Sequence, residues 1–408
     1  MSKRLNGEGS IRERKPGQWE ARLAYTDDNG TTKRVSLYGK THAEAKRKLK
    51  DAIGRFERDE PVRDAETTVA EWCEMWISTT LAASSLKPTT KQTKRNVLRL
   101  YVEPTRLGRM QLARLKASHV EAWLVEMRAL TKSTRVVVQG VERVEQRPKL
   151  AEATIRKAFH ALSGVLDGAV RDRMLAKSPM GVLSAPVAEE HEARFLSPEE
   201  TTAILAAARE MDEDRDRVGG IQSHNYPMLA FIAATGVRKG EALALKWSDI
   251  DFDTGLVTIR STLSRVDGHL VVTSPKTVRS RRALKLSSGV VRLLRDHRTE
   301  QLEQRLAAGG LWVDTGHVFT TVTGRPVDPS TALRVLKSAA KRAGVTGAGV
   351  HTLRHSAATA MLDAGVPLST VSRLLGHART GITGDVYAHL SGDAHASAME
   401  VAASVIGL

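Results

Sequence analysis

A short stretch near the C-terminal end, HTLRHSAATAML from His351 to Leu362, sets two histidines around an arginine at the start of a predicted helix. Residues three and four apart are neighbours on a helix, so His351, Arg354 and His355 share one face. Two histidines at this spacing can bind a metal ion, whereas a histidine beside an arginine favours an anion. The question is therefore whether this helix face binds a cation or an anion.

The residues around this face favour an anion. A zinc-binding helix of the H-E-x-x-H type needs a glutamate directly after the first histidine, where this chain has Thr352. Arg354 would also place a permanent positive charge beside a bound cation, which lowers the affinity for a metal. The same arginine and His351 can hold an oxyanion through charge-assisted hydrogen bonds. We therefore predict a phosphate-binding face without a metal, and we expect a structural role for His355.

The net charge of the chain indicates a polyanionic partner. Its 408 residues allow two or three domains, each with its own core. Lysine and arginine number 62 against 46 aspartates and glutamates, which gives a formal net charge of +16. An excess of this size is typical of proteins that bind nucleic acid, although other basic soluble proteins share it. We therefore predict a nucleic-acid partner and leave the alternative open.

Cysteine content and apolar runs indicate the compartment. The single cysteine, Cys73, excludes an intrachain disulfide framework and a Cys-rich zinc site, and its apolar surroundings VAEWCEMW predict burial. No apolar run is long enough to cross a bilayer, and the charged N-terminus lacks the apolar region of a secretory signal. We therefore expect a cytoplasmic protein, or one bound to a chromosome within the cytoplasm, without a membrane contact.

The pattern along the chain predicts three domains and a mainly helical, multidomain fold. Residues 1–60 contain two alternating segments, QWEARLAYT and TTKRVSLYG, around the turn DDNG. They predict a β-hairpin or small three-stranded sheet, followed by a helix capped by Thr41. Residues 67–183 predict an all-α domain. Residues 194–408 mix helices with a strand–turn–strand segment, GLVTIRSTLSRVDGHLVVTSPKT, and end in a tail helix, so this domain is predicted to be α+β and mainly α.

Two basic segments are candidates for DNA contact. Arginines just before the hairpin flank a ribbon of the kind that can lie in a DNA groove. Cations on one predicted helix of the second domain form a row that can follow a phosphate backbone. Both sets can equally be solvated surface, and the segment 131–149 matches no pattern. The residues predicted to contact DNA are Arg12, Arg14, Lys87, Lys91, Lys94 and Arg95.

Four features follow one another in the third domain, and the face with His351 and Arg354 is the third of them. Each places a cation, an imidazole or a phenol next to a turn or a helix end. Taken singly, each has an ordinary explanation, such as a surface arginine, an exposed lysine in a turn or a half-buried tyrosine. In chain order the features are Arg238 after the apolar helix YPMLAFIAATG, Lys276 in TSPKT, the pair His351 and Arg354, and His377 in LLGH with Tyr387 ten residues further.

Together and in this order, the four segments resemble the site-specific tyrosine recombinases, the phage integrase family. The resemblance covers residues 194 to about 390 and rests on TGVRKGEALALKWSDID, PKTVRSRR, HTLRH and LLGH followed by Tyr387. The two upstream domains resemble the arm-binding and core-binding domains of the longer integrases. One departure is the segment HARTGITGDVY, which lacks the Ser-rich, Thr-Thr form that is common before the nucleophile of the family.

The resemblance implies a cluster of six catalytic residues around one scissile phosphate, without a metal or another cofactor. Two arginines would hold the non-bridging oxygens, one histidine would assist as a donor or proton acceptor and the other would donate a hydrogen bond, a lysine would protonate the leaving 5′-oxygen, and a tyrosine would attack to form a 3′-phosphotyrosine. In that order the residues are Arg238 and Arg354, His351 and His377, Lys276, and Tyr387. We expect Glu241 to support Arg238 or the fold.

The resemblance also implies a function and partners. We expect a site-specific DNA recombinase that integrates or excises a mobile element, such as a viral genome, at double-stranded attachment sites in bacterial host DNA. A tetramer on two duplexes, a tail that docks on a neighbouring subunit and DNA-bending accessory proteins would accompany this activity. The alternatives are a type IB topoisomerase-like enzyme, a histidine–metal nuclease, and a DNA-binding regulator with VPLSTVSRLLGH as a helix-turn-helix. The regulator would leave Tyr387, Arg238 and Lys276 without a role.

Overall fold

The computed structural model of the chain divides it into two units, Met1–Glu190 and His191–Leu408, which we describe separately. Within the described part of the chain, no helix combines the length and apolar character that a membrane span requires. The residues that the structure describes are 9–26, 32–57, 67–138, 141–188, 194–218, 225–274 and 281–376.

The first unit begins with a three-stranded antiparallel sheet and one helix. The strands β1 (Gly9–Lys15), β2 (Gln18–Thr26) and β3 (Thr32–Gly39) lie in the order β1-β2-β3. The predicted hairpin is the β2–β3 pair, and the basic segment before it forms a third strand instead of a lead-in. Helix α1 (His42–Glu57) packs against the sheet around a small apolar core. That core consists of Ala21, Leu23, Val35, Ala45, Leu49 and Ala52.

The N-terminal cap of α1 forms at the predicted residue, Thr41, but only in part. Thr41 Oγ1 accepts a hydrogen bond from the Glu44 N–H at 3.2 Å, as predicted for a capping residue. The Glu44 carboxylate accepts from the Lys40 N–H at 2.8 Å. A complete capping box would instead join that carboxylate to the Thr41 N–H, so only one half of the box is formed.

Four helices form the second core of this unit: α2 (Val69–Trp76), α3 (Pro88–Tyr101), α4 (Ala117–Ala129) and α5 (Glu152–Arg171). Tryptophans anchor the packing through their indole N–H groups: Trp72 donates to the Val165 carbonyl at 2.9 Å and Trp123 to the Tyr101 carbonyl at 2.6 Å. Cys73 is buried as predicted, and burial raises the pKa of its thiol. It is therefore a packing residue.

A β-ribbon interrupts the helices at the segment that the sequence left unassigned. Strands β4 (Thr131–Val138) and β5 (Val141–Pro148) pair antiparallel, from Thr131 opposite Pro148 to Val138 opposite Val141. Among the described strands, neither pairs with any other. The prediction of an all-α domain over 67–183 therefore needs correction at this insert. The valines of RVVVQGVERV favour strands, and two residues suffice to connect them.

The second unit begins with two helices, and the start of the first and the end of the second carry clear capping signals. Helix α6 (Pro198–Val218) begins with a capping box: Ser197 Oγ accepts from the Glu200 N–H, and the Glu200 carboxylate accepts from the Ser197 N–H, both at 3.1 Å. Helix α7 (Tyr226–Thr235) is mostly buried and ends at Gly236, whose φ is 61°. A left-handed residue of this kind is a common helix end.

The predicted strand–turn–strand segment is divided between two small sheets. Strand β7 (Leu256–Ile259) lies between β6 (Ile250–Asp251) and β10 (Arg282–Lys285). The true hairpin is β8 (Thr262–Val266) with β9 (His269–Thr273), so the first predicted strand is broken after β7. The partner of β7 comes from later in the chain, and local alternation does not reveal it.

Five further helices complete the second unit around one apolar core. Its interior includes the fully buried rings of Phe231 and Phe319, 5.8 Å apart between centroids. The core packs the long helices against the three-stranded sheet. The helices are α8 (Lys239–Leu243), α9 (Ser288–Ala308), α10 (Pro329–Arg342), α11 (Val350–Asp363) and α12 (Leu368–Leu375).

Candidate active site

Arg238 lies between α7 and α8, at a point where the backbone is closely packed. Gly236 has a φ of 61°, and a Cβ atom there would lie 2.7 Å from Leu375 Cδ2, so glycine is favoured where α7 ends against α12. Two residues later, Arg238 forms the N-cap of α8. Its side chain is 38% exposed, so the guanidinium is anchored in the protein and still accessible from solvent.

Arg354 meets Arg238 at the C-terminal end of α12. Its buried guanidinium donates from Nη1 to the Gly236 carbonyl at 2.7 Å and from Nη2 to the Leu375 carbonyl at 2.8 Å. Arg238 Nη2 donates to the Gly376 carbonyl at 3.3 Å. Two arginines that are distant in sequence therefore hold the same helix end, where the exposed carbonyls favour positive charge.

Glu241 fixes the orientation of Arg238. The carboxylate accepts from the Arg238 backbone N–H and from Arg238 Nη1, both at 3.0 Å, and from Arg282 Nη2 at 2.9 Å. Burial raises the pKa of Glu241, but the hydrogen bond and charge of Arg282, together with Arg238, outweigh it, and the net pKa is lowered. Glu241 is thus an ionised buried carboxylate that supports Arg238.

Arg282 is a member of this cluster that the sequence analysis did not identify. It is the first residue of β10, and its side chain is only 7% exposed. Its Nε atom donates to the Leu374 carbonyl at 2.5 Å, which adds a third arginine to the end of α12. The segment SRRALKL has three basic residues, so composition does not distinguish Arg282. Side chains alternate between the two faces of a strand, and this alternation places Arg282 on the same face as the buried Leu284.

His351 lies in the first turn of α11, beside several cations. Its pKa is lowered below the ordinary value by partial desolvation and then by the charges of Lys239, Arg354 and Arg238. His351 is therefore neutral at neutral pH, with one ring nitrogen able to accept a proton. Lys239, which was not predicted, donates from Nζ to the Pro329 carbonyl at 2.9 Å, and desolvation lowers its pKa.

Three predicted catalytic residues lie outside the described residues: Lys276, His377 and Tyr387. The structure describes the chain on either side of Lys276, up to β9 and from Arg281 onward. It also describes the residue before His377, Gly376, which ends α12 with a φ of 67°. The structure therefore brings together Arg238, Arg354 and His351 but does not test the positions of the other three.

Comparison with known proteins points to the same family that the sequence motifs resemble. The sequence pattern of the phage integrase family matches residues 194–393. An integrase of Streptomyces ambofaciens is 31% identical, over 86% of this chain and 83% of the relative. A protein named tyrosine recombinase XerC-like, from Caldanaerobacter subterraneus subsp. tengcongensis, is 28% identical over 89% of this chain and 90% of the relative.

The chain belongs to the phage integrase family. It is therefore a tyrosine recombinase, an enzyme of site-specific recombination that cleaves and rejoins DNA strands.

Solved structures agree with this recombinase at the level of the fold. The integrase of the transposon Tn1549, in complex with circular intermediate DNA, superposes with a TM-score of 0.63 at 18% identity, over 82% of this chain and 99% of the other. A lambda integrase tetramer bound to a Holliday junction gives 0.55 at 17% identity, over 95% and 96%. The predicted multidomain, mainly helical fold is confirmed.

The recombinase site is distinct from a cavity of about 200 Å³ beside α9. Trp247, Trp312 and His317 are among the residues that line this cavity, and none of the described site residues does. Among the described residues, no group of three or more His, Cys, Asp or Glu side chains is arranged to hold a metal ion.

The predicted DNA-contact residues of this recombinase differ in their surroundings. Arg12 forms an ion pair with Glu20 at 2.7 Å, and both Arg12 and Arg14 lie on β1. On α3, Lys91 donates to the Ala82 carbonyl at 2.7 Å, and Lys94 lies 5.8 Å from the centre of the Trp76 ring. Lys87 occupies the N-cap position of the helix without a capping hydrogen bond from its side chain, and Arg95 lies one turn beyond Lys91.

Proposed function

We propose that this recombinase integrates or excises a mobile element, such as a viral genome, through a 3′-phosphotyrosine formed by Tyr387. The observation that supports the proposal is the convergence of Arg238 and Arg354 at the end of α12. The segment with His377 and Tyr387 starts directly after this helix. A nucleophile that follows α12 would begin its path beside both guanidiniums.

The two arginines would stabilise the transition state. The phosphorus passes through a five-coordinate arrangement that concentrates negative charge on its non-bridging oxygens. Each preorganised donor to such oxygens is worth about 3–4 kcal/mol. The backbone carbonyls that hold Arg354 and the carboxylate that holds Arg238 fix the guanidiniums before DNA arrives. His377 would add a further hydrogen bond to the same oxygens.

Proton transfer would complete the reaction. The Tyr387 oxygen forms a bond to phosphorus while the bond from phosphorus to the 5′-oxygen breaks. The phenol proton passes to neutral His351, and Lys276 gives a proton to the leaving 5′-oxygen. The phosphotyrosine retains the energy of the phosphodiester, so attack by another 5′-hydroxyl rejoins the strands without ATP.

The N-terminal end of α3 would grip the DNA backbone. Lys87 occupies the N-cap position of this helix and Lys91 lies in its first turn. Cations at the positive end of a helix dipole destabilise the helix, and a bound phosphate would offset both the dipole and the lysines. Lys94 and Arg95 would extend this contact along the helix, and Arg12 and Arg14 would contact a second DNA segment.

Assembly is the last part of the proposal. The lambda integrase of similar fold was solved as a tetramer on a Holliday junction. By analogy, four copies of this chain would hold two duplexes at attachment sites, and accessory proteins would bend the DNA. The tail after Tyr387 has apolar Met399, Ala402, Val405 and Ile406 at helical spacing, which suits docking on a neighbouring copy.

A plasmid assay tests this function against the topoisomerase alternative. A supercoiled plasmid with two candidate attachment sites is incubated with the wild type and with Tyr387→Phe. The proposal predicts exchange of the segment between the sites by the wild type, and no product with the variant. Relaxation of plasmids with no exchange, whatever their sites, would contradict the proposal and favour a topoisomerase-like enzyme.

A further inference from the structure

We propose that Arg282 is a positioning residue whose buried charge neutralises Glu241 and so leaves the charge of Arg238 available to the scissile phosphate. The inference rests on the proposed function, in which Arg238 holds a non-bridging oxygen of that phosphate. All three side chains belong to the second unit and lie among the described residues. Arg282 would therefore act on the substrate only through the other two side chains.

The two oxygens of the Glu241 carboxylate are shared between the two arginines. Oε1 accepts from Arg238 Nη1 at 3.0 Å. Oε2 accepts from Arg282 Nη2 at 2.9 Å and from the Arg238 backbone N–H at 3.0 Å. One negative charge thus lies between two positive ones, and the three side chains together keep one positive charge in excess.

Exposure to solvent distinguishes the two arginines. The Arg238 side chain is 38% exposed, whereas those of Arg282 and Glu241 are 7% and 3% exposed. A phosphate that arrives from solvent therefore has access to Arg238, while Arg282 is largely closed to it. The buried guanidinium is the partner for the carboxylate, and the exposed one is left for the substrate.

Without Arg282 the carboxylate would compete with the substrate. Glu241 would face Arg238 alone, and a carboxylate and a phosphate are alternative acceptors for the same guanidinium. Little water screens charges in such a buried place, so this competition is strong. The pKa of Glu241 agrees with this division. Burial raises it, but the hydrogen bond and charge of Arg282, followed by those of Arg238, lower it by more.

Arg282 also contacts the end of α12, which suggests a purely structural alternative. Its Nε donates to the Leu374 carbonyl at 2.5 Å. Arg354 and Arg238 hold the same helix end through other carbonyls, so this end does not depend on Arg282 alone. The two roles differ in what they require. Neutralisation of Glu241 needs a positive charge at position 282, whereas a brace to two acceptors needs the planar fork of arginine.

Substitutions that keep or remove the charge separate these roles. Arg282→Lys keeps a positive charge beside Glu241 but offers one nitrogen in place of the fork, whereas Arg282→Gln removes the charge. On nicked attachment-site DNA we expect Arg282→Gln to slow covalent adduct formation by about 10- to 100-fold, less than the roughly 10²–10³ that loss of a whole donor costs. Arg282→Lys should remain within about fivefold of the wild type.

A double variant tests the same point in the other direction. Glu241→Gln/Arg282→Gln removes the carboxylate together with its partner, so the charge of Arg238 is again unopposed. It should react faster than Arg282→Gln alone, although it carries one more substitution. If Arg282 acted only as a brace, a second change in the buried cluster would slow the reaction further. Should Arg282→Gln fail to fold, the double variant and Arg282→Lys are still compared with the wild type.

A binding measurement in the Tyr387→Phe background tests the inference without strand cleavage. Fluorescence anisotropy compares attachment-site DNA that has the ordinary scissile phosphate with DNA that has an uncharged methylphosphonate in its place. Arg282→Gln should lower the preference for the charged phosphate by about 3- to 10-fold, and Arg282→Lys should retain it. Arg281→Gln removes the same charge from the exposed neighbouring residue and should leave the preference unchanged.

Three results would overturn this role of Arg282. They are equal losses in Arg282→Lys and Arg282→Gln, a double variant slower than Arg282→Gln, and an Arg282→Gln variant that keeps the full preference for the charged phosphate. A wild type that forms no Tyr387-dependent adduct, with a binding preference that still changes as expected, would contradict the proposed function and support the role of Arg282.

Discussion

At the scale of single residues, Glu241 is the charge on which the site cluster depends. It is buried and accepts hydrogen bonds from Arg238 and Arg282. Glu241→Ala would leave the buried Arg282 without its carboxylate, so we expect the free energy of unfolding to fall by about 3–5 kcal/mol. Urea denaturation measures this loss.

An exposed ion pair provides the control for that measurement. Arg342 contacts Glu210 and Asp214 at the surface, where water screens the charges, so Arg342→Ala should lower the free energy of unfolding far less than Glu241→Ala. Equal losses of unfolding free energy in Glu241→Ala and Arg342→Ala would show that the buried carboxylate stabilises the fold no more than an exposed ion pair does.

His351 gives a prediction on pH dependence. Desolvation, Lys239 and the two arginines lower its pKa below about 6.5, so it stays neutral as the pH falls to that value. Lys239→Met removes one positive neighbour, which raises the pKa of His351 and moves the acid limb of DNA cleavage to higher pH. The ratio of variant to wild-type cleavage rates should therefore be lower at pH 6 than at pH 8.

The rate of adduct formation across this pH range, with NMR titration of the imidazole, checks the prediction. An acid limb at the same pH in both proteins would show that Lys239 does not influence His351.

Sequence predicted some of these residues better than others. Arg238, His351 and Arg354 follow from motifs, and the structure brings them together. Arg282 was missed because three arginines lie close together in and just before SRRALKL. Only the strand pairing shows which strand face Arg282 occupies. Lys239 was missed because its nearness to His351 depends on packing between helices that are distant in sequence.

At the scale of elements, α3 is the helix on which DNA affinity should depend. The double variant Lys87→Ala/Lys91→Ala removes two cations from its N-terminal end. We expect weaker binding and a smaller slope of log affinity against log salt, by about 0.9 per lost phosphate contact. Fluorescence anisotropy on attachment-site DNA at several salt concentrations measures the slope.

The matched control is an ion pair between α3 and α2. Arg99 pairs with Glu74 through Nε and Nη2, at 2.6 and 2.9 Å. Glu74→Gln/Arg99→Gln removes both charges and leaves the net charge unchanged, so the salt slope should stay near that of the wild type. An equal change of slope in the two double variants would contradict the role of the N-terminal lysines.

Local signals predicted those elements whose contacts are local. The apolar helix YPMLAFIAATG ends at Gly236 as its sequence indicates, and the local capping box at Ser197 marks the start of α6. The pairing of β7 with β10 joins strands that an entire hairpin separates, so alternation within one segment does not reveal it. The ribbon at 131–148 was missed because three successive valines break the alternation that marks a strand.

At the scale of the whole molecule, family membership and activity were predicted correctly, and the domain boundaries remain a prediction. The order of four short motifs was enough to indicate a tyrosine recombinase, and the relatives confirm it. The boundaries 1–60, 67–183 and 194–408 were inferred from changes in composition. The first unit has two separate apolar cores, which agrees with a division of its chain into two domains but does not test the boundaries.

The central claim is that Tyr387 attacks a phosphate held by Arg238 and Arg354 without a metal. The most direct measurement incubates nicked attachment-site DNA with wild type and Tyr387→Phe in EDTA and separates covalent adducts on a denaturing gel. We predict an adduct with the wild type, located at Tyr387 by peptide mass spectrometry, and none with the variant. The same adduct from both proteins, or an adduct that disappears with EDTA, would contradict the claim.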